Sequence, residues 1–374
     1  MMAEKGHASQ CKKRRFVSHG GDVWGFSRKH NIPVERLLDF SAPINYLGTS
    51  PKAIEAIKKF AELVKFYPDP NPVELRRELA EYVRKVSPDN IIIGNGSTEL
   101  IYMVPEVFSP NFKAIIPVPS FTEYEKATLR ARGEPIFVKL PEDFSLNIEN
   151  IKKVVTNDTR IVFVCNPHSP SGTLYDKQTI LELADFCHKN NIVVCIDENY
   201  IEFSESGENC TVSSYVKKYD NLFVIRSLTK FYAMPGLRFG YAIANQDFIC
   251  ALQDVRQPWS INSLAVFAAR AALKDKEFIE KTRRAIAREK AQLARMLKEI
   301  SALQVFPSET NFLLVKILDK KTTSTALRES MAKEGILIRD CSTFVGLDDN
   351  YFRVTVRSSE ENLKLVKALR EALK

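Results

Sequence analysis

The feature that most limits what this chain can fold into is an alternation of short apolar runs with longer amphipathic stretches. The runs are Ile91–Ile93, Ala114–Val118, Ile136–Leu140, Arg160–Cys165, Ile192–Asp197, Leu222–Arg226 and Phe239–Ala244. Several are rich in Ile and Val with little polar alternation, as expected of strands buried on both faces. Helix-like stretches such as Ser97–Phe108, Phe121–Arg132 and Lys177–Asn190 lie between them. Strand, helix, strand in repetition predicts an α/β sheet with helices on both sides. Around Gln257–Pro258–Trp259 the character changes. A charged helix over Lys276–Ile300 follows, then strands near Asn311–Ile317, Ile336–Asp340 and Tyr351–Arg357. A last helix opens at Ser358, with Glu361 completing a capping box. This tail predicts a smaller α+β domain. A length of 374 residues suits one large and one small domain. The expected partition is an N-terminal arm and joining segment over 1–45, a large domain over 46–257 and a small domain over 258–374.

Composition removes several function classes. The net charge is +8, but the basic residues are spread along the chain and form no stripe interleaved with aromatics, which argues against nucleic acid as a partner. The cluster Lys12, Lys13, Arg14, Arg15 reads as a solvated arm. No apolar run reaches 18 residues, so no membrane span is expected. The seven cysteines are scattered without a C-x-x-C pair, and the five histidines form no H-x-x-x-H pair. A reducing, cytoplasmic setting without a metal site is expected. Cys165 and Cys195 read as small core residues.

The most informative stretch is RSLTKFYAMPGLRFGY, Arg226 to Tyr241. Lys230 follows a buried-looking strand, with Ser227 and Thr229 before it and Arg238 after it. Nearby cations and partial burial lower a lysine's pKa, which suits Schiff-base chemistry. Hydroxyls and a guanidinium suit a phosphate. IVVCIDENY places Asp197 at the end of another such strand, where a carboxylate could keep a pyridine nitrogen protonated. IIIGNGSTEL sets Gly94, Gly96, Ser97 and Thr98 between a strand and a helix, where backbone amides can cradle a phosphate.

Together with PSFTEY and NPHSPSG, these segments resemble the class I and II aminotransferases and their relatives across nearly the whole chain. The resemblance implies the aspartate-aminotransferase fold and the cofactor pyridoxal 5'-phosphate (PLP). It implies that Lys230 carries the cofactor as a Schiff base and Asp197 pairs with its ring nitrogen. Asn166 and Tyr200 would bond the 3-hydroxyl oxygen, and Phe121 would stack on the ring. Gly96, Ser97, Thr98, Ser227, Thr229 and Arg238 would hold the phosphate. Tyr67, in FYPDP, would reach the partner's site in a homodimer. In NPHSPSG, His168, Ser169 and Ser171 depart from the more usual residues, while Asn166 and Gly172 remain.

HGGDVW, LLDFSAPIN, RQPWSIN and IRDCSTFVGLDDNYFRVTVR resemble one subfamily, the L-threonine-O-3-phosphate decarboxylases of cobalamin synthesis. That likeness implies decarboxylation of threonine phosphate to (R)-1-amino-2-propanol phosphate. The alternative is a histidinol-phosphate-type aminotransferase, which shares the cofactor set. The substrate residues implied are His19, Gly20, Asn166, Arg339 and Arg353. Both arginines are expected at the phosphate, with His19, the Gly20 amide and Asn166 at the carboxylate. Pro43 stands where the subfamily commonly has asparagine, which opens a shift toward phosphoserine. Trp259 reads as packing between domains, Asn262 as nearer the site, and Tyr124 as a helix-face residue.

Overall fold

The computed structural model describes residues 19–319 and 321–374. Cys11 and the basic cluster at Lys12–Arg15 lie outside them. After β1 (Leu38–Asp39) the chain builds a seven-stranded sheet: β2 (Ile91–Asn95), β3 (Lys113–Val118), β4 (Glu134–Lys139), β5 (Thr159–Cys165), β6 (Val193–Asp197), β7 (Leu222–Ser227) and β8 (Phe239–Ile243). Their spatial order is β2-β8-β7-β6-β5-β3-β4. The pairs β3–β4, β3–β5, β5–β6 and β6–β7 are parallel, and β8 runs antiparallel to both neighbours.

Both faces of this sheet are covered, which explains the Ile/Val-rich runs. Successive side chains on a strand point to opposite faces. Val162, Val194, Ile196 and Val224 therefore join one apolar cluster, while Ile161, Phe163, Cys195 and Phe223 join another. Helices Val73–Val83, Lys177–Lys189 and Ser263–Leu273 contribute to the first cluster. Helices Ser97–Glu106, Glu123–Arg130 and Gln246–Val255 cover the second. The architecture is the aspartate-aminotransferase-like one: a large, mostly parallel α/β layer and a smaller C-terminal α+β unit.

That smaller unit holds β9 (Leu303–Val305), β10 (Phe312–Ile317), β11 (Ile336–Leu337), β12 (Arg339–Asp340) and β13 (Tyr351–Thr355). Four of these form an antiparallel sheet in the order β12-β13-β10-β9. The single strand expected over Ile336–Asp340 is interrupted at Ile338. Its first half pairs in parallel with β1 and its second half with β13, so one extended segment serves two sheets. The Ser358 capping box forms as expected: Glu361 N–H donates to Ser358 Oγ at 3.3 Å, and Ser358 N–H to Glu361 Oε2 at 3.2 Å. Among the described residues no helix is long and apolar enough to cross a membrane.

Candidate active site

The carboxyl ends of parallel strands are where open α/β sheets bind ligands. Here β5 ends at Cys165, β6 at Asp197 and β7 at Ser227, and Cys165 and Asp197 are register partners. A cavity of about 110 Å³ opens at these ends, lined by Ser97, Thr98, Phe121, Cys165, Ser169, Asp197, Asn199, Tyr200, Ser227, Thr229, Lys230 and Arg238. Lys230 and Asp197 thus face one space. A second cavity of about 320 Å³ shares Thr98, Phe121, Ser169, Tyr200 and Lys230 with it, and adds His19, Gly20, Pro43, Arg339 and Arg353.

Each wall has a local cause. Ser97 and Thr98 begin the helix Ser97–Glu106, where backbone N–H groups lack intrahelical partners and the helix dipole favours an anion. Gly96 enters that helix at φ +78°, and a Cβ there would lie 2.5 Å from Arg238 Nη2. The positive φ suits glycine, and a side chain there would push the guanidinium away from the cradle. Ser227 Oγ donates to Thr229 Oγ1 at 2.7 Å, fixing both hydroxyls at the end of β7.

Burial, with the Arg353 and Arg238 guanidiniums, lowers the Lys230 ammonium to about pKa 8. A neutral, nucleophilic amine is therefore available near neutral pH. Acylation of the Lys230 amine in cofactor-free protein should accordingly rise with pH through about 8 rather than above 10. Peptide mapping after pulse labelling with acetic anhydride checks this; a midpoint at the ordinary lysine value would contradict it. Burial pushes Asp197 up to about 6, against bonds from Tyr124 and the Asn199 amide.

This donor set fits pyridoxal phosphate. A low-pKa amine, a buried carboxylate, an aromatic face at Phe121 and a helix-terminal cradle line one cavity. Asn199 Oδ1 is buried without a hydrogen-bond partner at its edge.

The substrate side is built on the small sheet. Arg339 and Arg353 are direct cross-strand partners on β12 and β13. Like charges set opposite each other are unfavourable by themselves. Arg353 Nη1 donates to Ser169 Oγ at 3.1 Å and Nη2 to the Ser41 carbonyl at 3.3 Å, while its guanidinium sits 4.7 Å over the Phe312 ring. Arg339 Nη2 donates to Thr343 Oγ1 at 3.2 Å, and burial lowers this residue to about pKa 10. His19 and Gly20 close the cavity from the N-terminal side. A Cβ on Gly20 would lie 2.2 Å from the Ser41 carbonyl, so the segment packs there only as glycine.

Other expected residues sit differently. Asn166 is fully buried, and its side chain pairs with the Tyr175 backbone: Tyr175 N–H donates to Oδ1 at 2.8 Å and Nδ2 donates to Tyr175 O at 3.1 Å. It stands behind the wall that Cys165, Ser169 and Tyr200 line. Tyr67 is 80% exposed and packs on Trp259, with ring centroids 4.9 Å apart. Trp259 does not pack between domains. It is half exposed on a cavity of about 710 Å³ that it lines with Pro70, Ile91, Ile92 and Ile93, and Lys230 is not among that cavity's lining residues. Asn262 caps the helix Ser263–Leu273, accepting from Ala265 N–H at 2.8 Å, and lines neither of the two cavities at Lys230.

Three contributors escaped the sequence reading. Glu123 accepts from His19 Nε2 at 2.7 Å, Lys126 Nζ at 2.6 Å and Tyr102 Oη at 2.6 Å. Burial alone would raise its carboxyl, but these three donors outweigh it and hold the group down at about 2. Tyr124 Oη donates to Asp197 Oδ2 at 2.6 Å. Asn199 Nδ2 donates to Ser97 Oγ at 2.9 Å. All three belong to PSFTEY or DENY, so the motifs held the signal, but helical periodicity alone could not say which side chains point inward.

A family model described as aminotransferase class I and II matches residues 35–369. The threonine-phosphate decarboxylase of Salmonella typhimurium is 33% identical, covering 95% of this chain and 96% of its own. A histidinol-phosphate aminotransferase of Thermoanaerobacter pseudethanolicus is 35% identical, covering 92% of this chain and 95% of its own. The crystal structure of histidinol-phosphate aminotransferase from Clostridium acetobutylicum superposes with a TM-score of 0.83 at 32% identity, over 90% of this chain and 99% of that one. Relatives with both activities therefore lie at similar distances.

Proposed function

This chain belongs to the aminotransferase class I and II family, and on that premise we propose that it binds pyridoxal phosphate at Lys230 and decarboxylates a phosphorylated amino acid, threonine phosphate first. The observation that carries the reading is the pair Arg339 and Arg353, in cross-strand register and lining the cavity that Lys230 opens into. Two adjacent guanidiniums call for a strongly anionic ligand. Both arginines serve a phosphate, which either substrate would bring; His19 and Gly20 line the same cavity and add a place for the carboxylate that an amino-acid phosphate carries and histidinol phosphate lacks.

When bound, the cofactor supplies an electron sink for the pair left behind as carbon dioxide departs. Asp197 would hold the ring nitrogen's proton, Phe121 would offer a stacking surface for the ring and Tyr200 a hydrogen bond to the ring hydroxyl. Ser97, Thr98, Ser227, Thr229 and Arg238 hold the cofactor phosphate, with Tyr67 reaching it from a second copy in a homodimer. Arg339 and Arg353 hold the substrate phosphate. His19, fixed by Glu123, and the Gly20 amide orient the carboxylate more weakly. A tight ion pair to that carboxylate would favour the ground state, because its charge disperses as the bond breaks. Lys230 Nζ then returns a proton to the α-carbon. Pro43 lines the same cavity, where its departure from the subfamily's asparagine opens a shift toward phosphoserine.

The second reading is transamination of histidinol phosphate or a similar amine, favoured by relatives such as the Thermoanaerobacter pseudethanolicus enzyme. Product analysis separates the two. Holoprotein incubated with threonine phosphate is expected to release carbon dioxide and the amino-alcohol phosphate, with no keto acid. Conversion of the cofactor to its amine form by histidinol phosphate, without gas from threonine phosphate, would establish the aminotransferase instead.

A further inference from the structure

We propose that Tyr124 is the positioning residue for Asp197: its phenol fixes the carboxylate that serves the cofactor ring nitrogen. The inference rests on the cofactor reading above and adds a residue to it.

Asp197 is held at both oxygens. The Asn199 backbone N–H donates to Oδ1 at 3.0 Å, and Tyr124 Oη donates to Oδ2 at 2.6 Å. The first bond comes from Asp197's own turn. The second comes from the helix Glu123–Arg130, across the strand ends. Two donors from different elements stop the carboxylate from rotating about its last torsion, so its plane is set before any ligand arrives. Both residues are buried, so the bond is shielded from water and charge-assisted.

The ring of Tyr124 is itself braced. It stacks on Phe163 at 4.9 Å with planes 5° apart, and meets Phe121 edge-on at 5.7 Å. One side chain thus touches both the group expected at the ring nitrogen and the group expected on the ring face. Phe121 lies just ahead of the helix Glu123–Arg130, and the Tyr124 N–H donates to its carbonyl at 3.2 Å, so the two side chains are tied through one turn.

The hydroxyl also bears on charge. The groups around Asp197 are Tyr124, Cys165, Cys195, Glu198, Tyr200 and Lys230. Burial raises Asp197, Glu198 adds to the rise, and Tyr124, Asn199 and Lys230 oppose it. Removing the phenol removes one opposing contribution, so the carboxyl's pKa rises further and its anionic fraction falls, most strongly on the acid side of neutrality.

The test uses the full chain stripped of cofactor, with pyridoxal phosphate uptake followed by absorbance at pH 6.5 and 8.5. Four proteins are compared: wild type, Tyr124→Phe, Asp197→Asn and the double variant. Tyr124→Phe keeps both ring contacts and loses only the bond. Its dissociation constant is expected to rise about tenfold at pH 6.5 and distinctly less at pH 8.5. In the Asp197→Asn background the same change is expected to cost under about twofold, because the charge it served is gone. An equal cost in both backgrounds would mean the tyrosine is merely structural, and wild-type affinity with an unchanged pH profile in Tyr124→Phe would overturn the proposal. Wild-type protein that takes up no cofactor would instead sink the functional reading itself.

Discussion

Lys230→Ala is expected to cut turnover at least about a thousandfold while leaving the apoprotein at least as stable as wild type at neutral pH. The first effect follows from position: Lys230 is the amine in the cavity that Asp197, Phe121 and the helix-terminal cradle share. The second follows from its depressed pKa of about 8. For a base whose folded value lies below the unfolded one, the folded state binds protons less readily. Stability is therefore penalised below the folded value and recovers as pH rises from about 8 toward the ordinary lysine range. Alanine removes that penalty, so the gain should be present at pH 7 and gone by strongly alkaline pH. Thermal unfolding of both apoproteins across that range checks the sign. Borohydride reduction followed by mass mapping checks the site, since only wild type should retain the cofactor covalently. A variant with substantial turnover, or one retaining cofactor on another lysine, would remove Lys230 from its role.

Much of this site was legible because the sheet buries both of its faces. Continuous Ile/Val runs located β5, β6 and β7, and the polar residues that end them, Asp197 and Ser227, mark the point where the strands leave the core. Arg339 and Arg353 fall within two strands legible in the small domain, and the structure pairs those strands directly. Less was legible where short range gives no answer. The helices Val73–Val83, Gln246–Val255 and Ser263–Leu273 went unassigned, two of them because the Trp259 region reads as a break rather than a link between helices. Trp259 itself adopts φ +54° on the surface. Asn166 carried the expected motif, and its amide makes two bonds to the Tyr175 backbone nine residues on, a turn whose bonds periodicity does not reveal. Tyr124 and Glu123 sit side by side on one helix. Which of them faces Asp197 and which faces His19 depends on how that helix docks, a tertiary fact.

The same dependence on burial makes Glu198→Ala the substitution with the largest expected effect on stability, about 3–5 kcal/mol. Glu198 follows Asp197 directly, and Arg226 precedes Ser227, so one ion pair ties together the ends of β6 and β7. Arg226 Nε donates to Glu198 Oε2 at 2.9 Å, and both side chains are almost completely buried. Thr211 Oγ1 also donates to Glu198 Oε2, at 2.7 Å, and the Val212 N–H donates to Oε1 at 3.1 Å. Taking away the carboxylate leaves a guanidinium in the core that has lost its nearest counter-charge, and that penalty, rather than the lost bond, dominates the cost. The sign of a second change follows. Arg226 Nη1 also lies 3.8 Å from the buried Glu202 Oε1, so Glu198→Leu combined with Arg226→Met removes both charges of the pair but takes a counter-charge from Glu202, and it should recover only part of the loss. Denaturant unfolding of the single and double variants measures this. Because the pair positions Asp197 and Ser227, the double variant should regain stability before it regains cofactor affinity. Recovery of both in step would show that strand pairing alone, without the ion pair, sets the spacing of the carboxylate and the phosphate cradle.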